Sequence, residues 1–253
     1  MIDINCHILS SMDDGAKHMT ESIEMARMAE SQGIEIIVAT PTISNGSIED
    51  ILGKVDEMNH RLRKDSINVT VVPGQECPIS EDFMEKYENG QILTINNAKK
   101  FIFLSLEASR HVPHYTGELI YDIQMKGLTP IIANPELNIE LMESPDKLYQ
   151  LVKKGACVQL NAGSVNGNNG KKVKKFVSEI IDSNLAHFIA SDARDKKSSS
   201  FMLQEAYSTI EKSFGSDIKE MFLENAELVF EGNSVFKEVP SRVKRKKLFG
   251  IFK

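Results

Sequence analysis

The chain has 253 residues, 41% hydrophobic and 26% charged, which suits one large soluble domain and excludes a fibrous or disordered chain. Its net charge is −6, but residues 237–253 hold seven basic residues against one acidic, so the preceding part stands at −12 and should repel nucleic acid. No apolar run reaches membrane-spanning length and no basic-then-apolar leader opens the chain, so neither a span nor a secretory signal is expected.

In chain order, short aliphatic runs alternate with segments of helical period. Strands are expected near Met1–Ile4, Glu35–Ala39, Val69–Val72, Phe101–Leu104, Thr129–Ala133, Cys157–Leu160 and His187–Ala190. The first helix follows Thr20, read as its N-cap, presents Ile23, Ala26 and Ala29 on one face and stops at Gly33. Further helices are expected over Ile48–Lys64, Gly117–Lys126, Pro145–Lys154, Lys171–Ser183 and Met202–Phe214. "QGIEIIVAT", "KGLTPIIAN", "KGACVQLNA" and "NLAHFIASD" share one grammar, a helix end and then a strand. Strands this apolar are buried on both faces, as in a parallel sheet covered by helices.

Polar residues cluster just after the strands: Asn5 and His7, Thr40 and Thr42, Glu76, Glu107, Asn134 and Glu136, Asn161, Asp192 and Arg194. In a closed parallel barrel those ends meet on one rim, which favours a barrel over an open doubly wound sheet. No GxGxxG or GK[ST] loop is present, which weakens a nucleotide-binding reading. Cys6, Cys77 and Cys157 have no paired spacing, so free thiols and a cytoplasmic location are expected, with no base to make a nucleophile of them.

The segments "MIDINCHILSSMDDGAKHMTESIEMARMAESQGIEIIVATP", "PGQE", "KGLTPIIANPELN", "HFIASDARD" and "VKRKKLFGIF" together resemble the manganese-dependent protein-tyrosine phosphatases of the PHP (polymerase and histidinol phosphatase) superfamily, encoded in bacterial capsule and exopolysaccharide operons. The resemblance runs through essentially the whole chain. It implies a distorted (β/α)7 TIM-like barrel over residues 1–236, followed by a basic-aromatic tail, 237–253. It also implies a trinuclear manganese site at the strand ends and, as partner, a bacterial tyrosine kinase or its phosphotyrosine tail. A PHP histidinol phosphatase or polymerase editing module fits the tail and the "GQE…NPE" arrangement less well.

Against the resembled pattern, His7, Glu76 and Asp192 are kept as ligands. Asn5, Thr42, Asn134 and Arg194 stand where imidazoles are expected, Leu106 where a carboxylate is, and Leu137 where an arginine would hold phosphate. Neutral oxygens replace imidazole poorly at a transition metal, leucine offers no ligand, and a guanidinium puts a fixed cation there. Glu107 would serve as the missing carboxylate only if a bulge re-aimed it. Arg194 is expected to pair with Asp192, and Arg110 or Arg194 to take over phosphate contact.

Asp13, Asp14 and Gly15 read as an Asx-type turn or as residues orienting the site. His111 and His114 read as loop or groove residues, and His18, His60 and His187 as surface or edge histidines. "NAGSVNGNNG" reads as a rim loop. The tail packs five basic residues into six before Leu248, Phe249, Ile251 and Phe252, which fits contact with an acidic membrane surface or a partner. Homo-oligomerisation is left open. The expected function is a partner-binding relative of the phosphatases with weak or absent hydrolysis, holding no metal or one weakly bound. The alternative is an active metal-dependent phosphotyrosine-protein phosphatase with a reduced site.

Overall fold

The structure is a computed structural model that describes residues 1–13, 15–42, 47–106, 111–197 and 201–244. Among the described residues the elements run β1 (Ile2–Cys6), α1 (Met19–Ser31), β2 (Ile36–Ala39), α2 (Ile48–Lys64), β3 (Thr70–Pro73), β4 (Glu76–Pro78) and α3 (Phe83–Glu88). They continue with β5 (Phe101–Ser105), α4 (Thr116–Met125), β6 (Thr129–Ala133), α5 (Ile139–Glu143), α6 (Pro145–Lys153), β7 (Cys157–Asn161) and α7 (Ala162–Asn166). The last are α8 (Lys171–Asp182), β8 (Phe188–Ala190), α9 (Leu203–Phe214) and α10 (Ser216–Glu231). Tight 3-10 turns sit at Ile95–Asn97 and Pro135–Leu137.

All paired strands are parallel, in the orders β1-β2-β3 and β4-β5-β6-β7-β8. Seven expected strands become eight because the third breaks at Pro73–Gly74. Its continuation, β4, carries Glu76 and joins the second sheet. The two sheets meet where β1 passes β8: Cys6 bridges Ala193, His7 N–H donates to Ala193 O at 2.9 Å, and Asp192 N–H to Asn5 O at 2.9 Å. On the other side Glu76 N–H reaches Pro41 O at 3.4 Å. The curved sheets thus surround a common interior without a continuous hydrogen-bonded ladder.

That interior holds Ile4, Val38, Phe101, Phe103, Ile131, Ala133, Cys157, Phe188 and Ala190. Ala226 and Val229 of α10 close one end of it. The alternate strand residues, such as Ile37, Ile102, Ile132, Val158 and Ile189, pack under the outer helices. α2 shows how the outer layer forms. Ser47 and Asp50 make a capping box, and Ile51, Val55, Met58 and Leu62 lie on one buried stripe. Each such buried aliphatic side chain contributes roughly 1.5–3 kcal/mol.

Two expectations are corrected. His18, not Thr20, caps α1, its Nδ1 accepting the Glu21 N–H at 3.3 Å. His187 is no surface residue. It is 2% exposed, its Nδ1 accepting Val158 N–H at 3.1 Å, and burial together with the Lys237 charge depresses its pKa to about 3.

One irregularity positions the site. Between Asp3 and Cys6 the pairing of β1 with β2 slips by one residue. Ile2 and Ile4 pack toward the interior, whereas Cys6 and Ile8 pack outward. The bulge therefore turns Asn5 and His7 inward at the strand's end.

Candidate metal and phosphate site

His7 is fully buried, and the chain after it doubles back at Gly15 to hold it. A Cβ on Gly15 would come within 2.2 Å of His7 O and 2.7 Å of His7 Cβ, so only glycine permits the close approach. The return brings Asp13 to His7, whose Nδ1 donates to Asp13 Oδ2 at 2.5 Å. Asp13 also accepts the Gly15 N–H at 2.8 Å and the Thr42 N–H at 3.0 Å. The Asx turn and the orienting role expected of this segment are one structure. Burial pushes the Asp13 carboxyl up, but the His7 hydrogen bond and charge and these amides hold it below its ordinary value.

With Nδ1 committed, His7 Nε2 faces Asp192 Oδ1 at 3.3 Å and Glu76 Oε2 at 3.9 Å, with no well-formed hydrogen bond to either. Donor atoms of His7, Glu76 and Asp192 lie within 4.8 Å of one another. An imidazole lone pair aimed at two carboxylates is repulsive unless something positive lies between them, either a proton or a cation. Burial lowers the His7 pKa, yet the Asp13 hydrogen bond and the nearby Asp192 carboxylate outweigh it and raise it to about 10, the protonated solution. A divalent ion is the other. A histidine, two carboxylates and a carboxylate behind the imidazole suit a single hard or borderline cation.

The opposite flank is built from amides. Asn5 Nδ2 donates to Glu76 Oε2 and to Gln159 Oε1, each at 3.1 Å, and Asn5 Oδ1 accepts from Thr40 Oγ1 at 2.6 Å. Gln159 Nε2 donates to Asn134 Oδ1 at 3.0 Å, and Asn134 Nδ2 to Asp192 Oδ2 at 3.0 Å. Asn161 Nδ2 adds a second donor to Asp192 Oδ2 at 3.2 Å, and Arg194 Nη2 lies 3.1 Å from Asp192 Oδ1. Asn134 and Asp192 both adopt left-handed backbone, with φ of 46° and 51°, which turns their side chains across the rim. The Arg194–Asp192 pair expected from the sequence is present. Among the described residues His7, Glu76 and Asp192 are the one group placed to hold a metal, and the neighbouring amides and Arg194 present N–H groups to the carboxylates.

The other expected positions lie further out. Thr42 meets the site through its backbone N–H. Leu106 is corrected: it packs in the outer cluster with Ile102 and Leu104, not among the donors. Leu137 is 38% exposed on the Pro135–Leu137 turn. Asp14, Glu107, Arg110 and tail residues 245–253 lie outside the described residues. Glu136 is fully buried, accepting Asn161 N–H at 3.0 Å, and burial raises its carboxyl to about 7. Gln159, the hub of the amide chain, was not anticipated; the signal was a polar residue inside an otherwise apolar strand.

The profile of the family described as capsular polysaccharide synthesis, CpsB/CapC, matches residues 1–231. The tyrosine-protein phosphatase YwqE of Bacillus subtilis is 44% identical over 256 residues, covering 100% of both chains. The tyrosine-protein phosphatase CpsB of Streptococcus pneumoniae is 30% identical over 238 residues, covering 89% of this chain and 96% of its own. A solved chain from work on YwqE and CpsB as unique metal-dependent tyrosine phosphatases superposes with a TM-score of 0.93 at 44% identity, over 97% of this chain and 100% of its own. The fold, the order of the strand-end residues and these matches agree: the chain belongs to the CpsB/CapC family of capsular polysaccharide synthesis proteins.

Proposed function

We propose that this chain is a phosphotyrosine-protein phosphatase working with a site reduced to one divalent metal, held by His7, Glu76 and Asp192, and that its substrate is a tyrosine-phosphorylated bacterial kinase. The observation that carries the reading is His7 Nε2, fixed from behind by Asp13 and aimed at two carboxylates. Manganese is the ion the resemblance implies. A metal bound there supplies Lewis acidity toward a phosphoryl oxygen and a lowered pKa for its water. The chain's own part is positional. Asp13 orients the imidazole, Asn5 and Asn134 orient the carboxylates, and Arg194 swings from Asp192 to take phosphate in the absence of an arginine at Leu137. Cys6, Cys77 and Cys157 are buried free thiols, which supports a cytoplasmic setting. Among the described residues no helix is long and apolar enough to cross a membrane.

The test is hydrolysis of a phosphotyrosine peptide across a Mn²⁺ or Co²⁺ titration, with metal content measured in parallel. Metal-dependent turnover lost in His7→Ala is expected; no rise in turnover at any metal concentration rejects the proposal. One observation favours a second reading, phosphotyrosine capture without hydrolysis: amides and Arg194 already engage the carboxylates a metal would use. It predicts peptide binding by a metal-free protein.

A further inference from the structure

The last described residues are laid onto the helical layer in a definite direction. Asn225, fully buried in α10, fixes the start: its Oδ1 accepts Phe236 N–H at 2.7 Å and its Nδ2 donates to Phe236 O at 3.0 Å. Lys237 Nζ then reaches Gly155 O, just beyond α6, and Val239 O accepts from Asn184, just beyond α8. Ser241 N–H donates to Ser183 O at 2.9 Å, at the C-terminal end of α8. Arg242 pairs with Asp146 in the first turn of α6, its guanidinium 5.0 Å from the Tyr149 ring centre, and Val243 packs on the core. The segment therefore enters at the C-terminal ends of α6 and α8 and runs along α6 toward its first turn.

Ahead of it lies a groove of about 480 Å³ between α5 and α8. On the α8 side its lining is Lys172, Lys175, Phe176 and Glu179, one face of the helix, starting a turn above the Ser183 anchor. On the α5 side it is Ile139, Met142 and Glu143, ending three positions before Asp146. Ile139 is 47% exposed, and α5 follows directly on the turn that carries Leu137 and the rim residue Asn134. The groove faces spanned on α8 measure ~10 Å at 1.5 Å per residue. The nine residues after Lys244 reach ~30 Å when extended. Those residues, "RKKLFGIFK", contain Leu248, Phe249, Ile251 and Phe252.

We infer that the chain's own C-terminal segment, Leu248–Phe252, docks in the groove between α5 and α8, beside the rim of the site. The direction of the anchored strand, the length remaining and the match of four large apolar side chains to the Ile139–Met142–Phe176 floor carry the inference. The Lys172 and Lys175 ammoniums are at the groove edge, Lys175 paired with Glu179 at 3.3 Å, so the attraction is apolar rather than electrostatic. Whether the site hydrolyses phosphate does not enter.

The test compares the full chain with its Phe249→Asp/Phe252→Asp variant by methyl NMR, the Met142 signal being assigned with Met142→Leu. The Ile139 and Met142 methyl resonances should shift between the two at every protein concentration. A labelled peptide of residues 245–253 should bind the variant at least tenfold more tightly than the intact chain, whose groove is filled. Adding Ile139→Asp to the variant should abolish that binding. Three results would overturn the inference: identical methyl spectra, shifts that appear only with anionic phosphatidylglycerol vesicles, or shifts that grow with protein concentration and so report a second copy's segment.

Discussion

The two flanks of the site are held in different ways. On the β1–β2 side, Asp13 and Gly15 grip one imidazole whose free nitrogen looks at carboxylates. On the β6–β8 side, Gln159, Asn134 and Asn161 form a chain of amides ending on Asp192, with Arg194 on the other carboxylate oxygen. The first flank is a metal-ligand geometry complete to its supporting carboxylate. The second neutralises an acidic cluster by donating hydrogen bonds to it. The contrast teaches that the amide flank leaves no hole, because each amide both donates and accepts and so carries hydrogen bonds on to the carboxylates.

That contrast can be broken most severely at Asp13. Asp13→Ala leaves the His7 Nδ1–H and the Gly15 and Thr42 amides without their acceptor, and a loss of roughly 3 kcal/mol in urea unfolding is expected, with metal uptake abolished. Gln159→Leu attacks the other flank. It removes one of the two Asn5 Nδ2 acceptors and leaves Asn134 Oδ1 without the Gln159 donor, and should cost about 2 kcal/mol, with metal uptake impaired less than in Asp13→Ala. Arg194→His removes the cation from Asp192 and supplies an imidazole. Isothermal titration with Mn²⁺ should show affinity raised on the order of tenfold, about 1.4 kcal/mol, and more when Asn5→His and Asn134→His are added. Leu106→Glu does not belong in that set, since it would bury a carboxylate among apolar side chains of the outer layer.

A smaller effect isolates pH from the site. His187 is neutral in the fold, its pKa depressed to about 3, whereas the unfolded chain binds a proton near the ordinary value of 6.5. Its contribution is therefore present above pH 6.5 and is lost as pH falls toward 3. His187→Gln should flatten that acid limb by about 1 kcal/mol between pH 6.5 and about 5.5, read from urea midpoints, and leave the metal titration of both flanks unchanged. Smallest of all, Arg242→Ala removes an exposed pair and should change stability by ~0.5 kcal/mol.

Much of this architecture was legible in the residues. The 3.6-residue stripe and the Ser47–Asp50 box gave α2 its observed bounds, and Thr129–Ala133 its strand, because there local preference and burial agree. α10 was missed although Phe222, Asn225, Ala226 and Val229 keep helical spacing, for its buried Asn225 broke the apolar pattern. At the site, His7, Glu76 and Asp192 could be named from the resemblance to the phosphatase motifs. Their mutual distances could not, since they depend on three strands from two sheets. Leu106 was misplaced because one residue decides which face of a strand a side chain takes, and Gln159 was passed over as part of an apolar run.

The slip in β1 has a consequence for how such a site tolerates change. The extra residue lets Ile4 and Asn5, neighbours in sequence, both face the interior. Removing Ile4 would restore a regular step with Cys6 still outward and Asn5 and His7 still inward, at the cost of one interior side chain. The bulge thus lets one short strand fill the barrel and still deliver an amide and an imidazole to its rim.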